Sequence, residues 1–193
     1  MHSTRTFWLD AAASAYDRTT IVLHWLTALL VVALFIMAQV WESMPHGTPV
    51  RKSLQGLHVS LGLLLTAVIV LRMAWRATGG RRLPPASHGA LQVSAKTMHY
   101  ALYLLLAAQI VLGFLFRWAQ GESFTFFGWF SIPKLLPLVR EQRHFFGDLH
   151  NVVAWVIIVL AGLHALAALF HHYWLRDGLL RRMWGGSRAG RLR

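Results

Sequence analysis

The sequence predicts an all-α fold, an integral membrane four-helix bundle with both termini cytoplasmic. Three observations carry this expectation. Of 193 residues 56% are hydrophobic and only 13% charged, whereas about a quarter of a soluble domain's residues are charged. Four apolar blocks each reach the length of about 20 helical residues that a hydrocarbon core requires. Finally, thirteen of the nineteen Lys and Arg fall on one side of the spans those blocks define, and that side is expected to face the cytoplasm.

The first block, Thr20–Trp41, contains no charge. The second, Gln55–Trp75, is interrupted only by Arg72 near its end, and the third covers Thr97–Phe116. The fourth, Leu149–Leu175, is long enough to tilt or protrude. Residues 42–54 form a short linker, and the Gly-, Pro- and Arg-rich stretch 77–95 ends the second helix. The apolar segment 117–147, broken by Gly128, Pro133 and Pro137, reads as a cap along the membrane surface with a short interfacial helix. Residues 1–19 lack a sustained apolar core and read as a cytoplasmic extension rather than a signal peptide. Residues 20–175 form the transmembrane domain and 176–193 a basic cytoplasmic tail. The net charge of +12 is gathered between apolar blocks, which is a membrane topology signal and not a nucleic-acid-binding face.

There is no cysteine, so disulfides, thiolate metal sites and iron–sulfur clusters are excluded. Eleven histidines remain to be explained, because imidazole is costly in hydrocarbon and normally has a partner there. His24 lies near the start of the first span, on the cytoplasmic side, and His58 near the start of the second, on the opposite side. In the fourth span His150 lies near the outer end. His164 follows fourteen residues later, roughly 21 Å along the axis and close to four whole turns, so the two share a face. By depth the histidines pair as His58 with His150 outside and His24 with His164 inside.

Two imidazoles per level are too few for a zinc site. They suit haem iron, which already has four ring nitrogens and needs only axial ligands. Two b-type haems stacked through the membrane are therefore expected, with Gly62, Gly113 and Gly162 giving room for a macrocycle. Small residues also serve ordinary helix packing. A single histidine near a helix end is ordinarily interfacial, and His2, His46, His88, His99, His144 and His172 are read that way.

The stretches "RTTIVLHWLTALLV", "LHVSLGLLLTAVIVLRMAWR", "MHYALYLLLAAQIVLGFLF" and "DLHNVVAWVIIVLAGLHALAALFHHYWLRDGLLRRM" resemble the bacterial cytochrome b-561 family over about Tyr16 to Met183. The most specific element is His150, thirteen residues, His164, and then the HHY element. The resemblance implies a dihaem cytochrome of the bacterial inner (plasma) membrane, with axial ligands His24, His58, His150 and His164. It also implies electron exchange with the quinone pool and an oxidoreductase that oxidises superoxide and reduces ubiquinone.

His171, seven residues past His164 and about 10 Å nearer the cytoplasm, is with Trp174 and Arg176 the candidate quinone site. Outside, Arg51 and Lys52 are candidates for attracting an anionic donor. Lys134, Arg140 and Arg143 add to that charge, and Glu42, Glu122, Glu141 and Asp148 offset much of it. Arg72, Arg76 and Lys96 could pair with the propionates of the inner haem, and their positive-inside role accounts for them as well. Two alternatives stand beside this reading. One is the cytochrome b anchor subunit of a larger hydrogenase- or dehydrogenase-type complex. The other is a transporter with histidines along a proton path, which requires no stoichiometric haem.

Overall fold

A computed structural model describes residues 15–84, 89–176 and 179–184. Most of the N-terminal extension (1–14), residues 85–88, and residues 177–178 and 185–193 of the basic tail lie outside the described residues, and His2 and His88 with them. Four long helices dominate: α1 Arg18–Glu42, α2 Pro49–Thr78, α3 Gly89–Ala119 and α4 Arg143–Phe170. All four are long and apolar enough to cross a membrane. Their outward faces carry Val22, Leu29, Val32, Ile36, Val70, Leu104, Val159 and Leu166, all exposed. Such a continuous apolar belt suits lipid rather than water.

Helix ends depart from the apolar blocks because local chemistry sets them, and α4 gives way to a π-helical turn at His171 inside its block. At α1, Asp17 caps the first turn by accepting from the backbone N–H of Thr20 at 2.9 Å and its hydroxyl at 2.7 Å. Pro49 opens α2 at the first helical position, where its missing N–H costs nothing. Gly79 and Gly80 end α2, both donating their N–H to the Trp75 carbonyl. At the far end of α1, the buried Arg51 donates to the carbonyls of Trp41 and Met44 and pairs with Glu42 at 3.2 Å. The guanidinium thus adds donors at the end of α1 and just beyond it, where the last carbonyls lack helical partners.

The helices pack as two hairpins. α1 lies along α2 and α3 along α4, whereas α1 and α4, and α2 and α3, meet at few places. A seam therefore runs between the halves. At mid-depth it is closed by Leu30 and Leu34 from α1, Leu65, Val68 and Ile69 from α2, Leu106 from α3 and Ile157 from α4.

The segment between α3 and α4 departs from the expected interfacial helix. Instead it forms a two-stranded antiparallel hairpin, β1 Phe124–Phe126 and β2 Phe130–Ile132, in register Phe124 to Ile132 and Phe126 to Phe130. A 3₁₀ turn at Arg140–Gln142 leads into α4. The hairpin turn is closed by Trp129 N–H on the Phe126 carbonyl at 2.9 Å, with positive φ at Phe127 (47°) and Gly128 (80°). Such a turn suits Gly but is uncommon for Phe. Ser60 of α2 holds it in place, accepting from Phe127 N–H at 3.0 Å and donating toward the Thr125 carbonyl at 3.1 Å. Phe124 is buried against Phe114 and Trp118 of α3. The hairpin thus ties α2 to α3 across one end of the seam.

The opposite end is tied by the C-terminal turn Leu180–Met183. There Trp25 Nε1 donates to the Met183 carbonyl at 2.8 Å, and Tyr16 N–H donates to the Arg182 carbonyl at 3.1 Å. Below, these are the hairpin end and the terminal end.

Candidate functional site

At the terminal end the seam gathers one polar side chain or more from every helix. His24 of α1 and His164 of α4 face each other with ring centroids 6.5 Å apart and planes at 72°. His99 of α3 lies 5.2 Å from His164. Arg72 of α2 donates to His24 Nδ1 at 3.1 Å and lies over the Tyr103 ring at 5.2 Å. Reading His99 as interfacial overlooked this placement. The third helix enters from the same side as the first, so the depth rule that placed His24 puts His99 at the same level.

At the hairpin end, His58 of α2 packs its ring edge-on to Trp41 at 4.8 Å and lies within electrostatic reach of His150 of α4. His150 has Gln109 of α3 at 3.1 Å from its Nε2 and Phe116 at 6.5 Å. Gly113 faces the same ring so closely that a Cβ there would stand 3.3 Å from His150 Cε1. The other two glycines differ, for a Cβ at Gly62 or Gly162 would meet nothing within 4 Å. Gln109 was not singled out from the sequence, and its sole signal was an amide in an otherwise apolar span.

The two histidine groups thus lie in the seam on either side of the apolar layer around Leu34, Leu65 and Ile157. Each group takes imidazoles from both halves of the bundle. Three features test whether these residues fit axial ligation of haem. With metal–imidazole bonds of about 2 Å, two rings facing one metal ion have centroids roughly 6 Å apart, close to the 6.5 Å of His24 and His164. His58 Nδ1 and His150 Nδ1 are buried without a protein partner, a costly state that another group relieves. Among the described residues, no three His, Asp or Glu side chains converge as ligands for a bare metal ion, whereas haem iron asks for two. The residues fit.

The remaining candidates are placed as follows. α4 ends in a π-helical turn, His171–Leu175, a geometry frequent at functional sites. His171 is half-buried there, Trp174 is exposed and stacks on Phe170 at 6.2 Å, and Arg176 follows with φ of 54°. Arg51 is buried and engaged with α1 and Glu42, while Lys52 beside it is exposed. His46, His144 and His172 lie apart from both groups, and His172 edges onto Tyr173.

Asp17 anchors the terminal end. It also accepts from Trp75 Nε1 at 2.9 Å and from Arg81 N–H at 3.1 Å. Partial burial opposes its charge, but the hydrogen bonds from Thr20, Arg81 and Trp75 outweigh that and hold the carboxyl well below the usual carboxylate range.

The family model described as prokaryotic cytochrome b561 matches residues 15–186. Cytochrome b561 homolog 2 of Escherichia coli K12 is 34% identical over 173 residues, 89% of this chain and 92% of that protein. Cytochrome b561 homolog 1 of the same organism is 28% identical over 170 residues, 87% and 96% of the two chains. A protein of Yersinia pestis named probable superoxide oxidase CybB is 29% identical over 177 residues, covering 87% and 94%. The match spans all four helices and both histidine groups, and so the chain belongs to the prokaryotic cytochrome b561 family.

Proposed function

We propose that this chain is a dihaem superoxide:ubiquinone oxidoreductase of the bacterial inner membrane. Family membership makes it a multi-pass membrane electron-transfer protein and implies haem b. The further reading places both termini in the cytoplasm and assigns two haems, His58 and His150 holding the outer and His24 and His164 the inner. The observation that carries it is the pair of histidine groups in one seam, separated by an apolar layer and each drawn from both helical hairpins.

Haem b supplies one-electron chemistry between its ferric and ferrous states. The chain's own residues bind, orient and insulate. The four histidines would hold the haems, and the Leu34, Leu65 and Ile157 layer keeps water from the space between the levels. Two superoxide anions each give up one electron and leave as O₂ at the outer face. One ubiquinone takes both electrons and two protons to form ubiquinol. The His171 turn is the proposed quinone site: Trp174 and Phe170 offer a flat apolar face, and the His171 imidazole a hydrogen-bonding and proton-transferring group. The name of the Yersinia pestis relative supports superoxide as the donor, and exposed Lys52 offers positive charge on the outer side.

The test combines a pyridine-haemochrome assay of the purified protein and of His58→Ala and His164→Ala with superoxide-driven reduction of a soluble ubiquinone analogue. The expected result is two haems per chain, about one in each variant, and quinone reduction that a superoxide scavenger abolishes. Haem unchanged in both variants would overturn the ligand assignment. Two haems without superoxide-driven turnover, together with a stably copurifying partner, would make the chain an anchor subunit instead.

A further inference from the structure

We infer that Arg72 is the anion anchor of the terminal-end site, and that its charge places that site at the higher potential of the two. The inference rests on the dihaem reading and goes beyond it by assigning a residue and an order of potentials.

Arg72 lies within α2, half-buried in the seam. A guanidinium is charged at all relevant pH and needs compensation away from water. No carboxylate provides it among the described residues. Glu42 is paired with Arg51 and Glu122 with Arg117. The Asp17 oxygens are taken by Thr20, Trp75 and Arg81. Glu141 and Asp148 belong to the hairpin end, where α4 begins. What Arg72 meets instead is neutral, the His24 ring nitrogen and the Tyr103 ring.

Its bond to His24 cannot outlast ligation. Arg72 has five N–H donors and no acceptor, so it needs a lone pair on His24 Nδ1. A neutral imidazole bound to a metal has the metal on one nitrogen and a proton on the other. Whichever nitrogen takes the iron, His24 has no lone pair left for Arg72. Tyr103 remains a hydrogen-bonding partner, but it is uncharged and leaves the guanidinium without a counter-charge at that level. The group that displaces it carries two carboxylates of its own, and a guanidinium pairs with a carboxylate through two parallel hydrogen bonds. Arg76 and Lys96 are exposed, so water can solvate them and they have no such need.

Among the described residues the hairpin-end site has no uncompensated counterpart, because the buried Arg51 that bonds the Trp41 carbonyl is paired with Glu42. The histidines of that site are surrounded by Trp41, Gln109, Gly113 and Phe116, all uncharged. A positive charge that no protein carboxylate compensates, beside one site and not the other among the described residues, stabilises the reduced iron there, so electrons settle at the terminal end. This is the polarity that delivery from the hairpin end requires.

The experiment is a potentiometric titration of the purified full-length protein, followed optically, for wild type, Arg72→Met and Arg72→Lys. Wild type should give two waves. In Arg72→Met the higher wave should fall by at least a tenfold change in equilibrium, or 59 mV for a one-electron couple, while the lower wave stays in place. Arg72→Lys keeps the charge and should restore most of the difference. A second readout uses full-length protein produced without haem and titrated with haem or its dimethyl ester. Wild type should lose at least tenfold affinity at the terminal-end site on esterification, and Arg72→Met should not distinguish the two. A protein that binds two haems, ignores the ester and keeps both waves in Arg72→Met overturns this inference alone. A wild-type protein that binds no haem overturns the dihaem reading with it.

Discussion

Gly113 is where the structure makes its sharpest demand on a single position. A Cβ added there would stand 3.3 Å from His150 Cε1, shorter than the optimum of about 3.5–4.0 Å for carbon contacts. Gly113→Ala asks the imidazole to yield by a few tenths of an ångström, a small cost because the ring can pivot. Gly113→Leu puts three further carbons where the ring lies. Overpacking of this kind costs about 1–3 kcal/mol, which weakens binding by roughly 5- to 150-fold. The assay is haem per chain by pyridine haemochrome, with the reduced spectrum recorded beside it. The expected result is two haems and a perturbed spectrum for Gly113→Ala, falling toward one haem for Gly113→Leu. Gly162→Ala, at an exposed position where a Cβ meets nothing within 4 Å, should keep two haems and an unchanged spectrum. Two full-strength haems in Gly113→Leu would refute the argument that His150 needs this space. A haem lost in Gly162→Ala would show that the wrong helix face had been given the task.

Two further predictions concern the ties at the ends of the seam. Ser60→Ala removes the acceptor for Phe127 N–H, at a cost of about 1–3 kcal/mol for an unmet backbone donor. Amide exchange across 124–132 should accelerate, and equal exchange in both proteins would remove Ser60 from its role. Asp17→Ala removes the α1 cap and should lower stability in detergent by about 0.5–2 kcal/mol, with Asp17→Asn retaining part. Because the folded carboxyl is held below its unfolded value of about 3.9, its contribution is complete above that value and is lost as pH falls through the lower folded one. The gap between wild type and Asp17→Ala should stay flat from pH 8 to 5 and narrow only below about pH 4. A gap that closes between pH 7 and 5 contradicts the assignment.

The sequence by itself determined the parts of this protein governed by local composition. Four spans of about 20 apolar residues can only be helices in lipid, because each span must satisfy its own backbone hydrogen bonds. Helical periodicity places His150 and His164 on one face. It also placed His24 and His58 at their levels, because depth along a helix is simply residue count. The family was legible in the spacing of the fourth span. Helix ends were less so: α2 begins at Pro49 and α3 at Gly89, both outside the apolar blocks, because caps and proline set ends while hydropathy marks only the lipid-facing length.

Tertiary structure decided what depends on contacts between distant residues. The stretch 124–132 is a hairpin rather than a surface helix because Ser60, more than sixty residues earlier, meets its backbone edge. Arg51, a candidate for attracting anions by its charge, is buried against the Trp41 and Met44 carbonyls and paired with Glu42. Of Gly62, Gly113 and Gly162, only Gly113 lies where an added Cβ would meet a histidine, a matter of helix rotation about the seam. His99 and Arg72 join His24 and His164 because four helices converge there. Composition and period fix what each helix is and how deep each residue lies. Which faces meet depends on packing energies summed across the bundle, and no local stretch of sequence contains that sum.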